Sequence, residues 1–237
     1  LLWGLGIASV MLMATGIWYL EAQLDPIRFV RVEGDVQHLH LSEVEQALRP
    51  VLQGYWSLDL DQAADAVRQI PWVDDLIVRR IWPDVLELEI HEQVPQVRWG
   101  AQALLNRRGE KFLPGSLKGY RDLPQLKGPE NYRQRLFRAY HRMAEALAPL
   151  EMRITGVEVD SRRSWQVRLE GEMAIQLGRV APEATFLRLA RALVRLGKKK
   201  CRQIERLDGR YEHGFAIRWR AEGATQGRRT LTMGQHG

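Results

Sequence analysis

Residues Leu1 to Leu20, LLWGLGIASVMLMATGIWYL, contain no charged side chain. A helix of this run, rising about 1.5 Å per residue, reaches roughly 30 Å, the depth of a bilayer's hydrocarbon core. Trp3, Trp18 and Tyr19 fall near its ends, where aromatic side chains settle at a membrane interface. A soluble core helix would need a polar face, and this run has none. A cleaved signal peptide would have a shorter apolar stretch ending in small residues. Residues 1–20 are therefore expected to form a single transmembrane helix.

The flank after this run decides the side of the membrane. Glu21, Asp25, Glu33 and Asp35 outnumber Arg28 and Arg31, whereas cytoplasmic flanks are enriched in Lys and Arg. The bulk of the chain is thus expected outside the cytoplasm. The chain begins at Leu, so a cytoplasmic tail is expected ahead of it. The single cysteine, Cys201, cannot close an intramolecular disulfide, which is compatible with that compartment. The net charge of +6 comes from clusters such as Arg79-Arg80, Arg162-Arg163 and Lys198 to Lys200. Outside the cytoplasm these have anionic lipid, acidic partners or water to face, and no nucleic-acid partner is expected.

Beyond the anchor, the hydrophobic pattern switches between periods. Residues 27–33 alternate and end at Gly34, as a strand does. Ser42 with Glu45 has the form of a capping box ahead of a helix carrying Val44, Leu48 and Leu52. A second helix opens at Asp59, with Gln62 three residues on, and buries Ala63, Ala66, Val67 and Ile70 before Pro71. Residues 73–82 are rich in β-branched side chains, Pro83-Asp84 marks a turn, and residues 85–92 alternate most clearly. Leu86, Leu88 and Ile90 point one way and Glu87, Glu89 and His91 the other. The order is strand, helix, helix, strand, strand.

The second region reads as β-rich with two helices. Short strands are expected at residues 96–99, 103–106 and 111–113, and residues 115–129 read as a loop. Tyr132, Leu136, Tyr140, Met143 and Leu147 make one face of a helix. Strands follow at 153–160, 164–170 and 173–178, a helix at 182–196 with Pro182 in its first turn, and strands at 203–207 and 214–220. The composition beyond Ala221 predicts a disordered tail, residues 221–237.

No catalytic constellation emerges from this pattern. His91-Glu92 begins like a zinc-protease motif, but Pro95 stands where the second His belongs. His38 and His40 lack a third ligand. There is no Gly-x-Ser-x-Gly and no glycine-rich phosphate loop. Neither metal nor cofactor nor enzymatic activity is expected.

The phrase Pro71-Trp72-Val73, Arg79, Trp82-Pro83-Asp84 and Leu86, followed by Glu92, Val94, Pro95 and Trp99, resembles the POTRA domain of FtsQ/DivIB bacterial division proteins. Anchor, POTRA domain, then β-rich domain is also that family's layout. The resemblance implies an α+β chain: a transmembrane helix at 1–20, a β-α-α-β-β POTRA domain at 27–94 and a β domain at 95–220. It implies a divisome scaffold that links early and late division proteins at the septum and helps control septal peptidoglycan synthesis. Implied partners are FtsB and FtsL, the FtsW–FtsI septal synthase, and FtsK through Val78 and Arg80 of the POTRA domain. The alternative is a POTRA-containing outer-membrane assembly or secretion component, which would need repeated POTRA units and a barrel.

The last expected strand carries most of the interest. Phe215, Ile217 and Trp219 can bury one face while Ala216, Arg218 and Arg220 face out. Nothing downstream is obliged to pair with it, and a bare strand edge either is protected by charge or receives a partner's strand. The resemblance implies that this strand, with Tyr211, His213 and Gly214 before it, holds an extended segment of FtsB. It also implies that Arg188 meets an acidic residue of that partner.

Overall fold

A computed structural model describes residue 13 and residues 27–52, 59–82, 84–211 and 214–220. The expected membrane helix, Met13 apart, and the expected tail from 221 onward lie outside the described residues. Among the described residues, no helix is long and apolar enough to cross a membrane. The chain divides into two compact units. One runs to Pro95 and takes in Phe112–Ser116; the other comprises Gln96–Lys111 and the chain from Leu117 on.

The first unit contains β1 (Phe29–Glu33), α1 (Leu41–Leu52), α2 (Leu60–Arg68), β2 (Val73–Ile81) and β3 (Val85–Glu92), in the expected order. The sheet order is β1-β3-β2. β3 lies parallel to β1 and antiparallel to β2, because β2 and β3 are joined by a short turn while β1 reaches β3 only after a long crossover. Leu86, Leu88 and Ile90 are fully buried, as are Leu48, Ala63 and Val67 from the two helices. Period-two and period-3.6 stripes thus share one core.

Helix starts depend on local acceptors. Asp59 is extended (φ −79°, ψ 108°) and accepts from the amides of Asp61 and Gln62 at 2.9 and 3.3 Å, satisfying donors that have no partner inside the helix. Asp59→Ala should therefore cost about 0.5–2 kcal/mol, read as a lower urea midpoint. The expected box at Ser42 is corrected: α1 already begins at Leu41. The amide of Glu43 donates to the carbonyl of His40 at 2.9 Å, so the turn starts ahead of Ser42, which lies within it.

The second unit is built on a nine-stranded sheet ordered β12-β11-β10-β9-β8-β7-β4-β5-β6. Its strands are β4 (Val97–Trp99), β5 (Ala103–Leu105), β6 (Lys111–Phe112), β7 (Gln125–Lys127), β8 (Ile154–Val159), β9 (Trp165–Leu169), β10 (Ala174–Gly178), β11 (Ile204–Asp208) and β12 (Ala216–Trp219). Its helices are α3 (Arg133–Leu147), α4 (Pro182–Leu196) and the short α5 (Lys198–Cys201). The stripes of α3 (Leu136, Met143, Leu147) and α4 (Phe186, Leu189, Leu193) join Trp165, Val167 and Leu207 of the sheet in one apolar core.

Two features depart from expectation. The presumed loop at 115–129 contains β7, which lies parallel to both β4 and β8 and fully buries Leu126. Three residues between Pro124 and Gly128 are too few to show an alternation. A third helix, α5, follows α4 where two helices were expected. Gly197, at φ 85°, lets the chain turn between them, and Lys198 at the start of α5 pairs with Glu151.

Candidate functional site

The outer edge of the large sheet is assembled from its last two strands. After β10 the chain crosses through α4 and α5 and returns as β11, parallel to β10. It then turns a corner and comes back as β12, antiparallel to β11. Gly209 occupies the corner. Its amide donates to the carbonyl of Gln176 at 2.8 Å, and a Cβ there would lie 2.7 Å from Leu189 Cδ1, so a larger residue does not fit without rearrangement.

Asp208 and Arg210 flank that glycine. Arg210 Nε donates to Asp208 Oδ1 at 2.9 Å, Nη2 donates to Oδ2 at 2.6 Å, and the Arg210 amide also reaches Oδ1 at 3.1 Å. The Arg210 side chain holds the Asp208 carboxyl below the usual carboxylate range, against the opposing effect of partial burial. Tyr211 emerges from this braced corner with 57% of its surface exposed.

β12 pairs Ala216 with Asp208, Ile217 with Leu207, Arg218 with Arg206 and Trp219 with Ile204. The amide of Arg220 donates to Gln203 at 2.8 Å. Peptide groups alternate direction along an antiparallel strand. The amides and carbonyls of Ala216 and Arg218 therefore also face β11, and those of Ile217 and Trp219 face away from it. On that side, among the described residues, no further strand pairs.

The side chains of β12 correct the sequence reading in part. Ala216, Arg218 and Arg220 are exposed, as expected. Of the apolar three, only Ile217 packs on the core, while Phe215 and Trp219 remain 40% and 47% exposed. An edge strand has a neighbour on one side only, so its ends lack lateral cover. Gly214 is half-buried, and His213 lies outside the described residues. Arg188 sits on the exposed face of α4 with Leu187 and Val194, opposite the buried Phe186, Leu189 and Leu193.

Val78 and Arg80 belong to the other unit. Both are half-buried on β2, on the same face as the buried Leu76, while Ile77, Arg79 and Ile81 face the opposite way. The Arg80 guanidinium lies 4.5 Å from the Trp82 ring centroid. β2 is itself an edge strand.

One polar cluster was not legible in the sequence. Glu92 Oε1 accepts from the amides of Gln37, His38 and Leu39 at 2.9, 2.8 and 2.7 Å. Its Oε2 lies 2.9 Å from His38 Nδ1, and the His38 ring stacks on Trp72 at 4.2 Å. Burial works to raise the Glu92 pKa, but the bonds from His38 and the three amides together outweigh it and lower it. This carboxylate fastens the segment between β1 and α1. Among the described residues, no group of three or more His, Cys, Asp or Glu side chains could hold a metal ion.

Comparison with known proteins gives this geometry a family. Residues 25–93 match the model of the FtsQ-type POTRA domain, and residues 97–210 match that of the C-terminal region of cell division protein FtsQ/DivIB. The chain is 31% identical to cell division protein FtsQ of Methylomonas methanica over 224 residues, covering 91% of this chain and 90% of that protein. It is 33% identical to the FtsQ of Xanthomonas campestris over 231 residues, 96% of this chain and 82% of that one. It is 32% identical to that of Alcanivorax borkumensis over 222 residues, 91% and 84% of the two chains. Across both units, then, this chain belongs to the FtsQ/DivIB family of bacterial cell division proteins.

Proposed function

We propose that the chain is a divisome scaffold of the inner membrane, with residues 1–20 as a single-pass anchor and both units in the periplasm at the septum. Its task is positional. The large sheet receives an extended segment of FtsB, in complex with FtsL, along β12, and so brings that pair beside the FtsW–FtsI synthase. The observation that carries this reading is the side of β12 on which, among the described residues, no strand pairs, with outward peptide groups at Ile217 and Trp219 and exposed Tyr211, Phe215 and Trp219 beside them. Main-chain pairing supplies affinity in such strand addition, and flanking side chains supply specificity. The purified full chain should co-elute with an FtsB–FtsL complex as one species; separate elution at micromolar concentration would reject the scaffold reading.

The first unit takes the upstream partner, FtsK, along β2. Arg80→Glu should reduce recruitment of the chain to division sites, scored by fluorescence microscopy. It should change stability by less than about 1 kcal/mol, as expected for a partly exposed charge. Normal recruitment of a stable Arg80→Glu chain would remove β2 from the interface.

A further inference from the structure

We infer that the end of the first unit's sheet where β1 starts, β2 stops and β3 starts rests on an anionic bilayer surface. Strand register puts Phe29, Val85 and Ile81 in one row across that end. Phe29 is 63% exposed and Ile81 37%, and Trp82, the next residue, is 62% exposed. The following row is Arg31, Glu87 and Arg79, with Glu87 3.6 Å from each arginine and Glu89 3.2 Å from Arg79. Arg28 is exposed at the same end, its amide donating to the carbonyl of Asp84 at 2.9 Å, and Arg80 lies over Trp82. Four arginines thus surround an apolar row that has Asp84, Glu87 and Glu89 as its nearby acids, Glu87 and Glu89 being paired with Arg31 and Arg79. Exposed aromatics ringed by arginine are the composition that settles at a lipid headgroup layer.

What faces this end is set by the chain itself. The inference rests on the reading of residues 1–20 as a membrane helix. Between Leu20 and Ile27 lie residues 21–26, which span about 20 Å even when fully extended. A surface tethered at that distance meets the bilayer at high effective concentration, so a weak contact suffices to hold it. Anionic headgroups complement the arginines. Docking in this pose would fix the orientation of the first unit over the membrane.

The test uses the full chain in vesicles of phosphatidylglycerol and phosphatidylethanolamine with no other protein present. Nitroxide labels go on Ile81→Cys, at the docked end, and on Ile77→Cys, further along the same face. The native Cys201 is buried and does not compete for label. The label at position 81 should be shielded from a water-borne nickel chelate relative to that at 77. That shielding should disappear in a Phe29→Glu/Trp82→Glu background, whose substitutions sit at exposed positions, and on phosphatidylcholine vesicles. Equal nickel access at 81 and 77, in a chain that floats with the vesicles, overturns the docking while leaving the anchor intact. A chain that fails to float overturns the anchor reading and the docking with it. Shielding that arises only on adding a protein partner assigns this end to that protein and also overturns the inference.

Discussion

Trp219→Pro should cost the chain its strand partner while leaving the second unit folded. The Trp219 amide points away from β11, so its removal breaks nothing within the sheet. A partner strand loses one hydrogen bond and meets a ring where it would pair. The expected loss is about 1–3 kcal/mol, or roughly 5–150-fold in affinity. Trp219→Phe keeps the amide and most of the aromatic surface, and should bind far more tightly than the proline variant. Arg218→Pro provides the opposite control, because its amide faces β11. It should lower the urea midpoint of the second unit as well as affinity. Calorimetric titration with FtsB–FtsL, alongside denaturation of each variant, separates these outcomes. Unchanged affinity in a folded Trp219→Pro chain would mean that no strand is added at this edge.

Removing the Glu92 carboxylate should produce the largest loss of stability from a single polar group. Glu92→Ala takes away the acceptor shared by three amides and a histidine ring. The Leu39 amide lies in a part-buried bond, and those of Gln37 and His38 in exposed ones, so water replaces some of what is lost. The net cost is about 2–3 kcal/mol for a charge-assisted cluster of this kind. The pH dependence has a definite sign. The folded-state pKa lies below the unfolded one, so the stabilisation is complete above the ordinary glutamate value, about 4.3. It drains away as pH falls through the lower folded value. Denaturation curves at neutral pH and near pH 3 should show the wild-type chain losing more stability on acidification than Glu92→Gln. An equal loss in both would show that the carboxylate is not the group responsible.

These residues also show why parts of the molecule are legible in a sequence and parts are not. β3 is readable because Leu86, Leu88 and Ile90 alternate with polar residues over a full strand, and period two has no competing explanation there. α4 is readable end to end because Pro182 suits its first turn and Gly197 its exit. β7 is not, because its one buried residue, Leu126, is flanked by Gln125 and Lys127 between a proline and a glycine. Nor is the Glu92 cluster, whose partners, the His38 ring apart, are main-chain amides far away in sequence that carry no side-chain signature. At the candidate edge, the alternation of Phe215, Ile217 and Trp219 includes the one residue of the three that packs on the core, Ile217. Burial of that face depends on neighbours across the sheet, and among the described residues the outermost strand has one on a single side. The direction of its free peptide groups becomes available only once Arg220 is seen to pair with Gln203.

β7 gives the two units different clocks. In the first unit β2 pairs with β3 locally, and one long parallel crossover, from Phe29 to Val85, brings β1 to β3. The large sheet is joined in its middle by a three-residue strand whose partners, β4 and β8, lie far from it on either side in sequence, and both pairings are parallel. Loop-closure entropy must be met before either contact returns any energy. The second unit needs three parallel closures of this kind, β4 with β7, β7 with β8 and β10 with β11, against one in the first, β1 with β3; its maturation is therefore expected to lag, and β12 can present a well-formed edge only after that central seam has closed. A newly made chain would then offer the interface proposed at β2 before the one proposed at β12, so an order of assembly would be written into the speed of folding.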